Sequence, residues 1–299
     1  MAPLSTVIVA YNSGEFLRHC LAALGSGPGE VVVVDNGSPD GETGVLCGEF
    51  PEVRLIERPR NDGFGSAANA GVAATTGRWV LLLNPDAWPI DDAVERLVEF
   101  AESRPGLGAA GPLLFDADGQ PQRSTIRPPL APASLALWAA FPRALSGAYG
   151  MWRRATSVVR RDKMRPAEFL QGAALLLRRD AFEQVEGFDE NFFMYGEDAD
   201  LCARLREAGW GVELSPVARF VHLGGGSTRA DTERMQLELL RSWLRLIAKL
   251  KGVGEAERAR RWLLRTMRLR ALASRGPRHR AIASWLASGR AGDLLGLPE

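Results

Sequence analysis

Cysteine and histidine are scarce in this chain, with three of each among 299 residues. Cys20, Cys47 and Cys202 stand far apart and form no CxxC pair, which excludes a disulfide framework and a zinc knuckle and favours a reducing compartment. An excess of charge is missing too. The 37 Lys and Arg residues balance 36 Asp and Glu, a net of +1, so the molecule as a whole exerts no pull on polyanions. No apolar run is long enough to span a bilayer; the nearest, 133–141, is short and lies between Pro132 and Pro142. The sequence enters a strand pattern almost at once with no basic n-region, so no secretory signal peptide is expected. Two phosphate-binding fingerprints are also absent. The first strand exits through Ala10-Tyr11-Asn12-Ser13-Gly14, which is no GxGxxG turn, and no GxxxxGK[ST] loop occurs. Dinucleotide-binding and P-loop readings are therefore weak.

The hydrophobic share of 46% and charged share of 24% are those of an ordinary globular protein, and the length suffices for one large α/β domain with an appendage. Short apolar runs at 4–10, 31–34, 53–56 and 79–83 alternate with helical spacing at 15–24, 65–75 and 91–102. Apolar strands separated by helices predict a mostly parallel sheet covered on both faces. From 111 to 166 the pattern weakens, broken by prolines at 112, 121, 128, 129, 132 and 142, and predicts a long excursion with some local helix. Regularity returns with a strand at 169–177, helices at 179–185 and 198–208, and two last strands at 212–214 and 218–221. Everything from 231 onward reads as helical and basic. The expected division is a catalytic domain over 1–230 and a basic helical extension over 231–299.

Ligands on open α/β sheets bind beyond the carboxyl ends of the strands. Ala10, Tyr11 and Asn12 lie at one such end, Asp35 at a second, and Asn84-Pro85-Asp86 at a third. Asp35 could accept hydrogen bonds from a nucleobase or ribose, or could simply open an Asx-turn through Asn36-Gly37. The small residues of Asn61-Asp62-Gly63-Phe64-Gly65 open a helix whose N-terminus favours anions. Within that helix Asn69, expected to be buried among alanines, needs a partner. Asp86 at a strand exit suits a cation held against phosphate, with His222 as a candidate second ligand; a lone histidine at a strand end is more often structural. Glu197-Asp198-Ala199-Asp200 follows the aromatic stretch Phe192-Phe193-Met194-Tyr195. Three crowded acids exceed what a helix start requires, and a carboxylate in a partly apolar site can act as a general base; stabilisation by the macrodipole is the competing explanation.

Taken in order, these pieces resemble glycosyltransferase family 2 with its GT-A fold, and within it the bacterial rhamnosyltransferase-like branch. The matching segments are Val7-Ile8-Val9-Ala10-Tyr11-Asn12, Val33-Val34-Asp35-Asn36-Gly37-Ser38, Asn61-Asp62-Gly63-Phe64-Gly65, Leu83-Asn84-Pro85-Asp86, Gly172-Ala173-Ala174-Leu175, Gly187-Phe188-Asp189-Glu190, Tyr195-Gly196-Glu197-Asp198-Ala199-Asp200-Leu201 and His222. The resemblance implies an α/β, GT-A catalytic domain that moves a sugar from a nucleotide-diphosphate donor, dTDP-rhamnose or a UDP-sugar, to a hydroxyl of a glycan or lipid-linked acceptor, with inversion. It implies that Asp35, Tyr11 and Asn12 read the nucleobase. Ala10, Asn61, Gly63, Phe64, Asn69 and Asn84 would line the donor pocket, and Gly172, Ala173 and Ala174 would wall the donor sugar. Asp86 and His222 would hold a divalent cation, Mg²⁺ or Mn²⁺. Asn84 stands where the fuller acidic motif has its first aspartate, so His222 and the diphosphate must supply more of the shell. Asp198 would be the base, with Glu197 positioning it or contacting the acceptor. The alternative is a nucleotide-binding α/β protein of another class, either a nucleotidyltransferase or an inactive binding homologue.

Between Arg241 and Arg280 there are thirteen basic residues against Glu255 and Glu257. Trp243, Leu244, Leu246 and Ile247 interleave with Arg241, Arg245, Lys249 and Lys251, as Trp262, Leu263 and Leu264 do with Arg260, Arg261 and Arg265. Such helices can lie in an anionic membrane interface, or can pack on the catalytic domain with a solvated basic face. No recognition motif accompanies the charge, so nucleic acid is not expected as a partner. The expected setting is cytoplasmic, with peripheral contact at the inner face of the cell membrane.

Overall fold

The computed structural model describes residues 4–25, 29–125, 130–140, 165–166, 169–224, 232–274 and 277–296. The chain divides into two compact units, one of Met1–Arg127 with Asp162–Ala230 and the other of Pro128–Arg161 with Asp231–Glu299.

The first unit is built on one sheet. Its strands are β1 (Leu4–Ala10), β2 (Glu30–Asp35), β3 (Val53–Glu57), β4 (Trp79–Leu83), β5 (Ala87–Pro89), β6 (Leu107–Phe115), β7 (Arg165–Pro166), β8 (Ala174–Arg178) and β9 (Gly211–His222). They lie in the order β3-β2-β1-β4-β8-β6-β9-β5, with β7 also on β9. From β3 to β4 every pairing is parallel, as the alternating pattern implies. Beyond β4 the sheet is mixed: β8 is antiparallel to both β4 and β6, and β9 is parallel to β6 and antiparallel to β5.

This topology assembles one edge. Ala10 is paired with Asp35 and Ile8 with Leu83, so three strands exit side by side. Because β8 runs the other way, its first residue Ala174 pairs with Leu83 and brings Gly172 and Ala173 to the same edge. In the same manner β9 ends where β5 begins, pairing His222 with Ala87.

Helices α2 (Glu42–Cys47) and α3 (Phe64–Ala73) pack on the parallel strands, α1 (Gly14–Leu24) against β5 and α2, and α4 (Ala93–Glu102) against β6 and β9. α1 buries Leu17, Cys20 and Leu21, and α4 buries Val94, Leu97, Val98 and Ala101, the stripes expected of amphipathic helices. α3 is rich in Ala and Gly because it lies close on the sheet; a Cβ on Gly71 would stand 2.4 Å from Val7.

Two departures from the sequence reading have a local cause. β6 runs through Pro112, where its register against β9 slips between Gly111 and Leu113, since proline has no ladder donor. The two last strands expected near 212 and 218 are a single strand, β9, in which residues 215–218 lie between the two paired stretches. All three cysteines are free and buried.

The second unit is helical. α5 (Pro132–Ala140) comes first. After α6 (Arg179–Gln184) and α7 (Glu197–Glu207) of the first unit, it continues with α8 (Thr232–Lys251), α9 (Val253–Ser274), α10 (Pro277–Ala287) and α11 (Ala291–Leu295). Leu135, Leu240, Leu244, Ile247, Leu263, Met267, Ile282 and Leu286 form its core. Leu244, Ile247 and Leu263, which the sequence offered either to a membrane interface or to packing, lie in that core, and Leu246 is buried as well. Among the described residues no helix is long and apolar enough to cross a membrane.

Candidate active site

The exit edge of the sheet carries a continuous polar network. Asn12 adopts a left-handed backbone, φ 48°, which asparagine tolerates better than most residues, and its N–H donates to Ser38 Oγ at 3.0 Å. The Ser38 hydroxyl and N–H both donate to Asp35 Oδ1, at 2.5 and 3.1 Å. Asp35 thus holds the local loop through Ser38, three residues on, rather than through the Asx-turn weighed against a binding role, and both bonds end on one carboxylate oxygen. Tyr11 follows Ala10 at the same exit. Asn36 Nδ2 donates to Asn61 Oδ1 and to Gly63 O, at 2.9 and 3.1 Å, while Arg58 donates to Asn36 Oδ1 and Ser66 Oγ. The β2 exit and the start of α3 are therefore tied together by side chains.

Gly63 explains why the turn before α3 is built of small residues. Its φ is 97°, and a Cβ there would stand 2.4 Å from Phe193 O. Phe64 N–H donates to that same carbonyl at 3.0 Å, which ties the turn to the aromatic stretch leading to Glu197. Asn69 is half-buried rather than fully buried, and its partner is the chain itself. Its amide donates to Phe188 O and Glu190 Oε1, both at 3.0 Å, and accepts from Phe188 N–H at 2.9 Å.

Asp86 and His222 meet at the β5–β9 junction. Both are buried, with Nε2 of the imidazole 3.6 Å from Asp86 Oδ1, beyond hydrogen-bond length. Gln122 grips the histidine from behind: its Nε2 donates to His222 O at 2.7 Å, and its Oε1 faces His222 Nδ1 at 3.3 Å. Because Oε1 can only accept, the ring proton belongs on Nδ1 and the Nε2 lone pair faces the carboxylate. Burial lowers the imidazole pKa, against the pull of Asp86, which favours the neutral ring. Two acceptors turned toward one another suit a divalent cation between them. No group of three or more His, Cys, Asp or Glu is found among the described residues, so the remaining ligands would have to come from phosphate oxygens and water. These residues fit such an ion.

The acidic cluster divides. Asp200 turns away into a buried ion pair with Arg204 at 2.8 Å on the next turn of α7. Asp198 faces the sheet: Gly172 N–H donates to its Oδ2 at 3.0 Å and Ala199 N–H to its Oδ1 at 2.8 Å. Burial pushes its carboxyl up to about 6, and the amides pull against that shift. Glu197 is buried, its Oε2 has no hydrogen-bond partner, and its carboxyl is pushed up to about 8, first by burial and then by the Asp198 charge. Tyr195 just ahead has φ 68°, a strained backbone for a side chain of its size. A carboxylate that titrates near neutrality beside a protonated neighbour can take a proton from a hydroxyl.

The cation pair and the acid pair are joined by two residues. Asn84 N–H donates to Ala173 O at 2.9 Å, and the adjoining Gly172 holds Asp198. Of the expected site residues, Asn84, Asp86, Gly172, Ala173, Asp198, Glu197 and His222 form one connected group. Ala10, Tyr11, Asn12, Asp35, Asn61, Gly63 and Phe64 belong to the adjoining network, and Asn69 braces the loop at Phe188. Sequence reasoning missed Gln122 and Arg58. Nothing around Gln122 announces it, since its role arises only from the return of β9 alongside β6.

Residues 5–186 match glycosyl transferase family 2, and residues 155–225 match the family described as the N-terminal domain of galactosyltransferase. The chain is 34% identical over 246 residues to the N-acetylglucosaminyl-diphospho-decaprenol L-rhamnosyltransferase of Mycobacterium tuberculosis, covering 76% of this chain and 78% of that protein. It is 25% identical over 223 residues to the low-salt glycan biosynthesis hexosyltransferase Agl10 of Haloferax volcanii, covering 73% and 66%. Among solved structures it resembles GalNAc-T7 with UDP, GalNAc and Mn²⁺, with a TM-score of 0.60 at 13% identity over 99% of this chain and 58% of that one. It also resembles S. aureus TarS in complex with UDP-GlcNAc, with a TM-score of 0.59 at 13% identity over 98% and 80%. At these identities the likeness is one of fold, and the fold is GT-A.

Proposed function

The chain belongs to glycosyl transferase family 2 and is a glycosyltransferase, and on that premise we propose that it moves a sugar from a nucleotide-diphosphate donor to a hydroxyl of a lipid-linked glycan acceptor, inverting the anomeric centre. Family membership speaks against the nucleotidyltransferase reading. The donor is dTDP-rhamnose or a UDP-sugar; the first is favoured by the 34% identity to a rhamnosyltransferase whose name contains a diphospho-decaprenol acceptor. On this reading the enzyme works at the cytoplasmic face of the membrane that holds the acceptor, with residues 1–230 as the catalytic domain and 231–299 as its extension.

The observation that carries the assignment is the Gly172–Ala173 link, which bonds Asn84, two residues before Asp86, on one side and Asp198 on the other. Asp198 accepts the proton of the acceptor hydroxyl. The freed oxygen pair forms the bond to the anomeric carbon, and the bond from that carbon to the diphosphate breaks, its electrons passing to the leaving oxygen. Glu197, protonated at neutral pH, keeps a second negative charge away from the base. Asp86 and His222 would hold Mg²⁺ or Mn²⁺, and the chemistry such an ion would supply there is neutralisation of charge on the diphosphate. Asp35, with Tyr11 and Asn12, receives the nucleobase, while Asn61, Gly63 and Phe64 close the donor pocket; Asn69 supports that wall through Phe188.

The test is thermal stabilisation by dTDP-rhamnose, UDP-sugars and the bare nucleotides, with and without Mn²⁺, followed by transfer to a polyprenyl-diphosphate acceptor. A donor that raises the melting temperature only with the cation, and a product of inverted configuration, are expected. Retained configuration would sink the assigned mechanism.

A further inference from the structure

The outward face of α9 carries an unusual combination of side chains. The inward stripe is Ala256, Ala259, Leu263 and Met267, all fully buried in the core of the second unit. Opposite it, Arg258, Arg261, Trp262, Arg265, Arg268, Leu269 and Leu272 are all exposed. At 3.6 residues per turn these seven fall within about a third of the helix circumference. Three are large apolar groups left in water: Trp262 is 49% exposed, Leu269 67% and Leu272 78%. These are not the apolar residues that the interleaved sequence pattern picked out, apart from Trp262.

The charges on this face have one sign. Arg258 is paired with Glu255 and Arg261 with Glu257, whereas Arg265 and Arg268 have no ion pair among the described residues. From Arg258 to the end of α9 there are six arginines and no acid. A solvated helix face needs no leucine in water, and a nucleic-acid backbone gains nothing from Leu269 and Leu272. A helix lying in the plane of an anionic bilayer uses both kinds of residue: tryptophan and leucine enter the acyl boundary while flanking guanidinium groups reach the lipid phosphates.

We propose that this face of α9 is a membrane-docking surface for anionic phospholipid headgroups. It stands on helix geometry alone and does not depend on the assignment of donor, acceptor or base. The helix rests on the bilayer rather than crossing it, in keeping with the absence of any spanning helix among the described residues.

The experiment is cosedimentation of the full chain with vesicles of phosphatidylcholine alone and of phosphatidylcholine mixed with phosphatidylglycerol, at low and high salt. Binding to the anionic vesicles only, weakened by salt, is expected. R265Q/R268Q should weaken it by about thirtyfold, from the contribution of each basic residue near the surface. L269S/L272S should also release the protein, and a blue shift of tryptophan emission on binding should disappear in W262F. Circular dichroism of each variant should match the parent, since the altered side chains are exposed. L269S/L272S should still transfer sugar to a water-soluble acceptor, which separates failure of this surface from failure of the assigned reaction. The proposal is overturned by equal binding to neutral vesicles, by no vesicle binding at low salt, or by double variants that bind as the parent does. It is equally overturned if RNA is retained through Arg265 and Arg268 while anionic vesicles are ignored.

Discussion

Glu197→Gln should make the protein more stable, and the gain should depend on pH in a particular way. The carboxyl of Glu197 lies buried with Oε2 unpartnered and is pushed up from 4.5 to about 8. Between those values the native state holds a proton that the unfolded chain releases. Stability contributed at this site is therefore full at low pH and falls as pH rises through the window. Glutamine resembles the protonated acid and does not titrate, so it escapes the loss. At pH 7, roughly two and a half pH units into the window, the linkage amounts to about 3 kcal/mol in favour of the variant. The difference should vanish below about pH 4.5 and level off near about 5 kcal/mol above pH 8. Urea unfolding of both proteins at pH 4.5, 7 and 8.5 measures it. A stability difference that stays constant with pH, or a variant weaker than the parent at pH 7, would refute the reasoning that Glu197 is a buried, proton-holding group.

Other outcomes follow from the same geometry. Asp198→Asn should lower the transfer rate by roughly 10²–10⁴-fold and leave donor affinity nearly unchanged, as seen by single-turnover kinetics and calorimetry. Because the base must be ionised and its carboxyl is raised to about 6, kcat/KM should climb with pH up to about 6 and then flatten; a profile flat from pH 5 to 8 would exclude Asp198 as the base. Gln122→Leu should weaken Mn²⁺ binding by about 10–100-fold in electron paramagnetic resonance titrations, because it frees the imidazole of His222 to rotate. Gly63→Ala should cost at least about 2 kcal/mol in urea unfolding, since the new Cβ meets the Phe193 carbonyl in a left-handed backbone.

Much of the first unit was written in local pattern. The runs ending at Ala10, Asp35 and Leu83 are apolar and bounded by turn residues, so their existence, direction and polar exits could be read directly, along with the helices between them. The resemblance to family 2 rested on those same exits. β6 escaped because Pro112 disguises it, and its pairing is rescued by a slipped register that only the neighbouring strand reveals. The excursion after it could be recognised as irregular, but most of 126–168 lies outside the described residues.

In the acidic cluster, adjacency along the chain concealed a division of labour. Helical geometry sends Asp200 to Arg204 and leaves Glu197 and Asp198 facing the sheet, an outcome set by which neighbours each side chain meets. In the basic tail the composition was plain but left a membrane interface and a packed helix open. Leu244, Ile247 and Leu263 sit in a helical core, and the leucines left outside, Leu269 and Leu272, were not among those the pattern picked out. Residue order settled the family, the alternation of strand and helix, and the kinds of side chain available for chemistry. Packing settled which of them stand together, because Asp86, Gln122, Gly172, Asp198 and His222 come from segments far apart, and only the reversal of β8 and the return of β9 bring their atoms within reach.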